Sequence, residues 1–298
     1  MGTQVDMAMS WQLAHQDHAI ERVSIGFQFT EPLPSKLWQS MLSAAETGFQ
    51  DLGFAGMPGE PGFVLPPPGI QGQPGFEIVI QGGNAVFGLP LGGQGGRTFR
   101  VIAGNEVTEE VSLTRARFAY TATVYDGWTR FRNRSQSLLG RYLDEALSMV
   151  GINLIKMEYW DRFVFDGPPE RADYEAILRS DSRHVPHFYS STNELWHSHV
   201  GYFADPGSSQ RRLVNVNVDV LDLLQRVEAD TQAPNAPRRS VGIYSMVQDT
   251  LGAESTTVGW HACVSTLEDM HTILKGVLLD VINDEVAQRI SLNAGVRP

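Results

Sequence analysis

The stretch from Val111 to Leu147 constrains the fold of this 298-residue chain more than any other. It reads as a β-strand, a tight turn at Asp126-Gly127 and a long helix. The apolar residues of the helix recur at helical spacing, which predicts that one helix face is buried. Asp126 can cap its first turn, and Gly151 is placed to end it. The stretch therefore predicts a strand followed directly by an amphipathic helix.

The same stretch concentrates arginine in a chain whose formal net charge is -11. On the helix, side chains four positions apart share a face. On the strand, side chains two positions apart point to one side. If the two elements pack together, the arginines could form a phosphate or carboxylate site, because arginine binds both in bidentate geometry. The plainer interpretation is that they are solvated faces. The candidate binding residues are Arg115, Arg117, Arg130, Arg134 and Arg141.

Composition excludes several classes of protein. The acidic balance argues against a general nucleic-acid coat and against a binder of anionic membranes, since both need a basic face. The single cysteine, Cys263, excludes an intramolecular disulfide and a zinc-thiolate cluster. No secretion signal and no long apolar run are visible, so we expect a cytoplasmic protein without membrane contact. We expect no cofactor.

Strand and helix patterns follow one another without the strict alternation of a doubly wound fold. We predict an α+β fold of two similar lobes, in which antiparallel sheets are each packed by a long amphipathic helix. The helix of the second lobe would begin at a capping box formed by Ser265 and Glu268. We predict a loose tail at residues 1–18, a first lobe at 19–166 with a Gly/Pro-rich loop at 53–74, and a second lobe at 167–298.

The order of these elements resembles a sporadically distributed bacterial family of uncharacterised proteins. The residues that carry the resemblance are AIERVSIGFQF, VSLTRARFAYTATVYDGWTRFRNR, INLIKMEYWDRFVF, NVNVDVLDL and LEDMHTILKGVLLDVINDEV. The resemblance implies paired sheets and helices, with no assigned activity and no catalytic residues to carry over. The chain departs from the family at Ile152 and Asn153, where members place arginine and glycine. A sporadic distribution is typical of accessory components of bacterial defence systems.

Two histidines suggest a metal site. His197 and His199 are two positions apart, so on a strand both rings would project from the same face toward one ion. Asp205 could add an oxygen ligand. The spacing matches no established metal motif, and ordinary surface histidines are the alternative.

A second polar series alternates with valine. Asn215, Asn217 and Asp219 would face away from a valine-lined core, either as the wet face of a sheet or as a ligand groove. Glu158 and Asp161 interrupt an apolar strand. Cys263 and His261 would share a strand face, although a lone cysteine is more often a small buried residue.

The sequence favours a non-catalytic binding or assembly module that recognises an acidic partner, with a protein partner or self-association expected. It leaves open whether any reaction is catalysed. A metal-dependent hydrolase using His197, His199 and Asp205 is one alternative. A local nucleic-acid reader using the arginines is the other, and it is less favoured because of the global charge.

Overall fold

A computed structural model describes residues 10–15, 18–58, 96–104, 106–204, 211–224, 237–252 and 259–292. Across these ranges the chain forms one ten-stranded antiparallel sheet and five α-helices, which confirms the α+β class. None of the helices in these ranges is both long and apolar enough to span a membrane.

The strands are β1 Ser10–Leu13, β2 Ile20–Phe29, β3 Ala55–Pro58, β4 Arg97–Ala103, β5 Glu106–Leu113, β6 Arg117–Ala122, β7 Ile152–Asp166, β8 Trp196–Ala204, β9 Arg211–Leu224 and β10 Pro237–Thr250. The helices are α1 Ser35–Asp51, α2 Trp128–Ser135, α3 Arg141–Leu147, α4 Gly259–Val281 and α5 Asp284–Arg289. A π-helical turn, Gln136–Gly140, joins α2 to α3.

The strand order is β3-β4-β5-β6-β2-β7-β10-β9-β8, and β1 pairs with the end of β7. On each side of the central β2–β7 pair, the next strand is the last one of a three-strand meander. One meander is β4-β5-β6 and leads into α2, while the other is β8-β9-β10 and precedes α4.

The sheet is continuous across the predicted lobe boundary at residues 166 and 167. Strand β7 pairs with β10 from Leu154 to Val164, so the two predicted lobes share backbone hydrogen bonds along one of the longest strands. The division into two lobes is therefore not confirmed.

The helices cover one face of this sheet. Phe27 of β2 contacts Trp260 of α4, with ring centroids 6.0 Å apart, and Tyr120 of β6 stacks on Phe131 of α2 at 5.2 Å. Helix α1 reaches the same layer through Phe49, whose ring lies 5.5 Å from that of Tyr142. Because successive side chains of a strand point to opposite faces, the alternate residues lie on the face that carries none of the described helices.

Several local expectations were wrong. Part of the predicted tail forms β1, and part of the predicted Gly/Pro-rich loop forms β3. The rest of that loop lies outside the described residues. Helix α2 is capped by Gly127, whose φ of 93° is a conformation that glycine adopts readily, and Asp126 makes no cap hydrogen bond.

The last long helix begins earlier than its predicted capping box. Helix α4 starts at Gly259, so Cys263 and His261 lie on a helix, not on a strand. Glu268 does not cap that helix and instead accepts hydrogen bonds from Trp128 and Arg132. Trp260, Cys263 and Leu267 are buried on one side of the early turns, where the short apolar run was ambiguous between strand and helix.

Candidate binding site on one face of the sheet

Charged side chains gather on the sheet face opposite the described helices, and we call this the polar face. Its central row comes from the even-numbered residues of β7, since Tyr159 on the same strand contacts His271 of α4 on the other side. Register places β2 and β10 residues beside that row. The main members are Arg22, Arg117, Lys156, Glu158, Trp160, Arg162, Asp219 and Tyr244.

Glu158 is the central carboxylate of the polar face. Lys156 donates to its Oε1 atom from 2.7 Å, and the Tyr244 hydroxyl donates to the same oxygen from 2.7 Å. Burial alone would raise the pKa of Glu158. The charge of Lys156 and the two hydrogen bonds together outweigh burial, so the pKa lies below its ordinary value. The buried carboxylate is therefore held ionised, with two hydrogen bonds on its Oε1 atom.

Arg162 forms a second buried group. Its Nε donates to Glu21 at 3.0 Å, and its Nη1 lies 3.4 Å from Asp219 Oδ2 and 3.1 Å from Ser240 Oγ. The guanidinium crosses Gly242, where a Cβ atom would meet Asp219 at 2.5 Å and Arg162 at 2.9 Å. Glycine is needed at this position because the ion pair occupies the space of a side chain.

An apolar island interrupts the charges. Arg22 stacks over the Trp160 ring, with Cζ 3.8 Å from the ring centroid. Trp160, Tyr244 and Met246 form a small buried cluster separate from the main core, and Leu213 packs against it. The polar face thus combines charged groups with a buried apolar cluster, of which Leu213 is the partly exposed neighbour.

Arg117 differs from its charged neighbours. Its guanidinium lies above Gly26, with Nη2 3.5 Å from the position of a Cβ atom there. Burial lowers its pKa, and the charge of Glu158 partly offsets that shift. The side chain is half-buried, and within the described part of the chain it makes no hydrogen bond and no ion pair. Such a cation has unused capacity for an anion.

The other candidate arginines do not join Arg117. Arg115 precedes β6 and donates from Nε to the Leu33 carbonyl at 2.8 Å. Arg134 forms a two-bond pair with Glu109, at 2.8 and 3.1 Å. Arg130 and Arg141 are exposed. Arg130 forms an ion pair with Asp126, and Arg141 lies 5.9 Å from the ring centroid of Tyr142.

The structure does not bring the five candidate arginines together in one place. Strand β6 does pack beside α2, as the hypothesis required, but through Tyr120 and Phe131. Alternation places Arg117 on the opposite face of the sheet, whereas the arginines of the helices lie on the face that the helices cover.

The alternating series on β9 was predicted correctly. Val214, Val216, Val218 and Val220 are fully buried on the helix side. Asn215, Asn217 and Asp219 lie on the polar face, opposite Met246, Tyr244 and Gly242 of β10. Asn217 Oδ1 is buried without a hydrogen-bond partner among the described residues.

The histidines lie at the rim of the same face. His197 is opposite Asp219 and His199 is opposite Asn217, on the outermost strand β8. Both are exposed, and the described residues contain no group of three or more metal-ligating side chains. Asp205 lies outside the described residues, so the predicted metal set stays a prediction.

Sequence reasoning missed Arg22, Lys156 and Arg162 as site residues. All three sit in strands that are buried on both faces, where apolar and polar positions do not alternate cleanly. The sequence feature that could have identified them is the set of polar residues at even-numbered positions of β7, which begins with Lys156 and Glu158. Residues at these positions lie on one face of the strand.

A second polar group lies on the helix side. The Tyr125 hydroxyl is 3.3 Å from that of Tyr159, which is 3.0 Å from His271 Nδ1. Asp161 follows on the same side of β7, and burial and then Glu21 raise its pKa to about 7. Its Oδ1 has no hydrogen-bond partner among the described residues.

Cys263 is fully buried within the main core, and burial raises its pKa to about 12. A thiol with that pKa is protonated at neutral pH and is a poor nucleophile. The arrangement gives no support to a thiol-imidazole pair with His261.

No family model, curated protein or solved structure matches this chain.

Proposed function

We propose that this protein is a binding module, and that its polar face recognises a carboxylate of an acidic protein partner through Arg117. The observation that carries the proposal is the half-buried guanidinium of Arg117, which makes no ion pair within the described part of the chain. Removing a cation from water is costly unless an anion compensates it. A partner carboxylate would supply that compensation.

Local charge favours a carboxylate over a phosphate. Arg117 lies above Gly26, and Lys156 is the register partner of Gly26 on the next strand. Glu158 offsets one of these two positive charges. Over these three side chains, Arg117, Lys156 and Glu158, the remaining charge of about +1 matches one carboxylate, whereas a phosphate group carries up to two negative charges.

The repeated order of strands around β2 and β7 supports the further proposal that the chain consists of two similar lobes. A role as an accessory component of a bacterial defence system remains a proposal that derives from the family resemblance alone.

Binding of a blocked glutamate-rich peptide, measured by calorimetry, tests the proposal. Arg117→Gln should weaken binding about ten- to hundredfold, because hydrogen bonds between charged groups contribute about 1.5–3 kcal/mol. Arg117→Lys should retain part of the affinity. Arg130→Gln is the matched control, since Arg130 is exposed on the helix side, and it should bind like the native chain.

The same peptide with glutamine in place of glutamate should not bind. Equal affinity of native and Arg117→Gln protein, with unchanged melting temperatures, would exclude Arg117 as the anchor. Preferential binding of a single-stranded oligonucleotide, with a steep loss at high salt, would instead favour the nucleic-acid alternative.

A further inference from the structure

We infer that the outer edge of β8 is a self-association surface, at which a second copy of this chain pairs antiparallel about a twofold axis near Val200. The inference is independent of the proposed function. Strand β8 ends the sheet order, and among the described residues only β9 pairs with it. Its outer backbone groups are therefore available for another strand.

The two edges of the sheet differ in how they are protected. Strand β3, at the opposite edge, has four residues and ends in Pro58. Strand β8 has nine residues, WHSHVGYFA, without lysine, arginine, aspartate, glutamate or proline. Its pairing with β9 shows no register shift. Edge strands that must stay single usually carry charges, proline or bulges, and β8 carries none of them.

Exposed apolar side chains concentrate at this edge. The described residues include eight large hydrophobic side chains that are exposed, and four of them lie on or beside β8. Phe203 is 56% exposed and Phe188, which contacts Trp196 of β8, is 47% exposed. Tyr202 and Phe203 are consecutive in the strand and point to opposite faces, so exposed apolar side chains flank this edge on both sides of the sheet. Exposed apolar surface that gathers in one place marks an interaction surface. The four residues are Phe188, Leu195, Tyr202 and Phe203.

Next to the proposed axis the strand is complementary to itself in size. With the axis near Val200, position 199 faces 201 and position 198 faces 202 of the other copy. His199 would thus lie opposite Gly201, and Ser198 opposite Tyr202. A large side chain meets a small one at both pairs, and no two like charges meet.

The area suits a modest dimer. An aromatic side chain buries about 150–250 Å² in full, so each half-exposed ring of the patch would bury on the order of 100 Å². Three rings from each copy, together with the paired strands, bring the interface close to the roughly 1,000 Å² of the smaller specific complexes.

Sedimentation of the full chain over a range of concentrations tests the inference. The native protein should dimerise, and Phe203→Glu should weaken dimerisation at least about tenfold. The substitution is compatible with the fold because Arg211 lies 3.7 Å from the Phe203 ring centroid and can pair with the new carboxylate. Met149→Glu, at an equally exposed site away from the edge, should have no effect.

A second substitution makes the test specific for the twofold pairing. His197 faces position 203 of the other copy, and its neighbour on β9 is Asp219, so His197→Lys is also compatible with the fold. Combined with Phe203→Glu, it should restore dimerisation to within about threefold of the native value. A native chain that is monomeric at about 0.1 mM, or a dimer that Phe203→Glu leaves intact, would overturn the inference.

Discussion

Arg162 and Asp219 meet above Gly242, with Nη1 and Oδ2 3.4 Å apart, in the space that a side chain at position 242 would occupy. Gly242→Ala should therefore lower the free energy of unfolding by about 2–4 kcal/mol, because it displaces a buried ion pair. Denaturant unfolding measures the change. Gly26→Ala is the matched control on the same face. Its Cβ would make only an ordinary 3.5 Å contact with Arg117, so its effect should stay within about 1 kcal/mol.

Asp161 makes the stability of the fold depend on pH. Burial raises its pKa from an ordinary 3.8 to about 7. The folded state thus favours the protonated form of Asp161. The resulting stabilisation of the fold is present below pH 3.8 and is lost as the pH rises through 7. Asp161→Asn should remove this loss and exceed native stability at pH 8.5 by on the order of 4 kcal/mol, with little difference at pH 4.

Chemical unfolding of both proteins between pH 4 and 8.5 measures that effect. Asp126→Asn is the control, because Asp126 is 61% exposed, and its pH profile should follow that of the native chain. Parallel profiles for native and Asp161→Asn protein would show that Asp161 does not titrate in this range.

His271 should remain neutral well below neutral pH. Burial lowers its pKa to about 4; the charge of Lys275 lowers it as well, and that of Glu268 partly offsets both. The folded state favours the neutral form of His271. The resulting stabilisation of the fold is present above pH 6.5 and is lost as the pH falls through 4. NMR titration of the ring should show no protonation at pH 5.5.

Trp128→Ala tests the cause of that shift. The indole ring stacks on His271 with centroids 4.6 Å apart and shields it from water. Its removal should raise the pKa of His271 toward 6.5. An unchanged titration would assign the shift to the remaining neighbours.

Two arginines of α2 should differ sharply in their contribution to stability. Arg134→Ala removes both hydrogen bonds to Glu109, which also accepts from Tyr120 at 2.8 Å, and should cost about 1–3 kcal/mol. Arg130→Ala removes only the exposed pair with Asp126 and should cost less than about 0.5 kcal/mol. Equal losses in thermal unfolding would contradict this difference.

The alternation of apolar and polar residues predicted the strands that have one buried face and one polar face. The valines of β9 are buried and its asparagines lie on the polar face, as alternation indicates. Strand β10 escaped prediction because the run from Val241 to Val247 is buried on both faces. Strand β10 is defined by its pairing with β7 and β9, and the periodicity of its own sequence does not show that pairing.

The site was predictable only in part for a related reason. Arg117 and Asn215 stood out through composition and alternation, but their positions on one sheet face follow from the strand order. The partners of the helix arginines are also distant in the chain. Arg132 binds Glu268, 136 positions away, and helix periodicity alone cannot identify such a partner.

The position of β7 between β2 and β10 has a consequence for synthesis on the ribosome. When Asp166 has emerged, β7 can join β2, but its other edge must wait about 70 residues for β10. At about 5–20 residues per second, that edge stays open for several seconds. A nascent chain therefore passes through a stage at which a long, largely apolar strand has one free side, and this is the stage at which chaperone binding or misassembly would act.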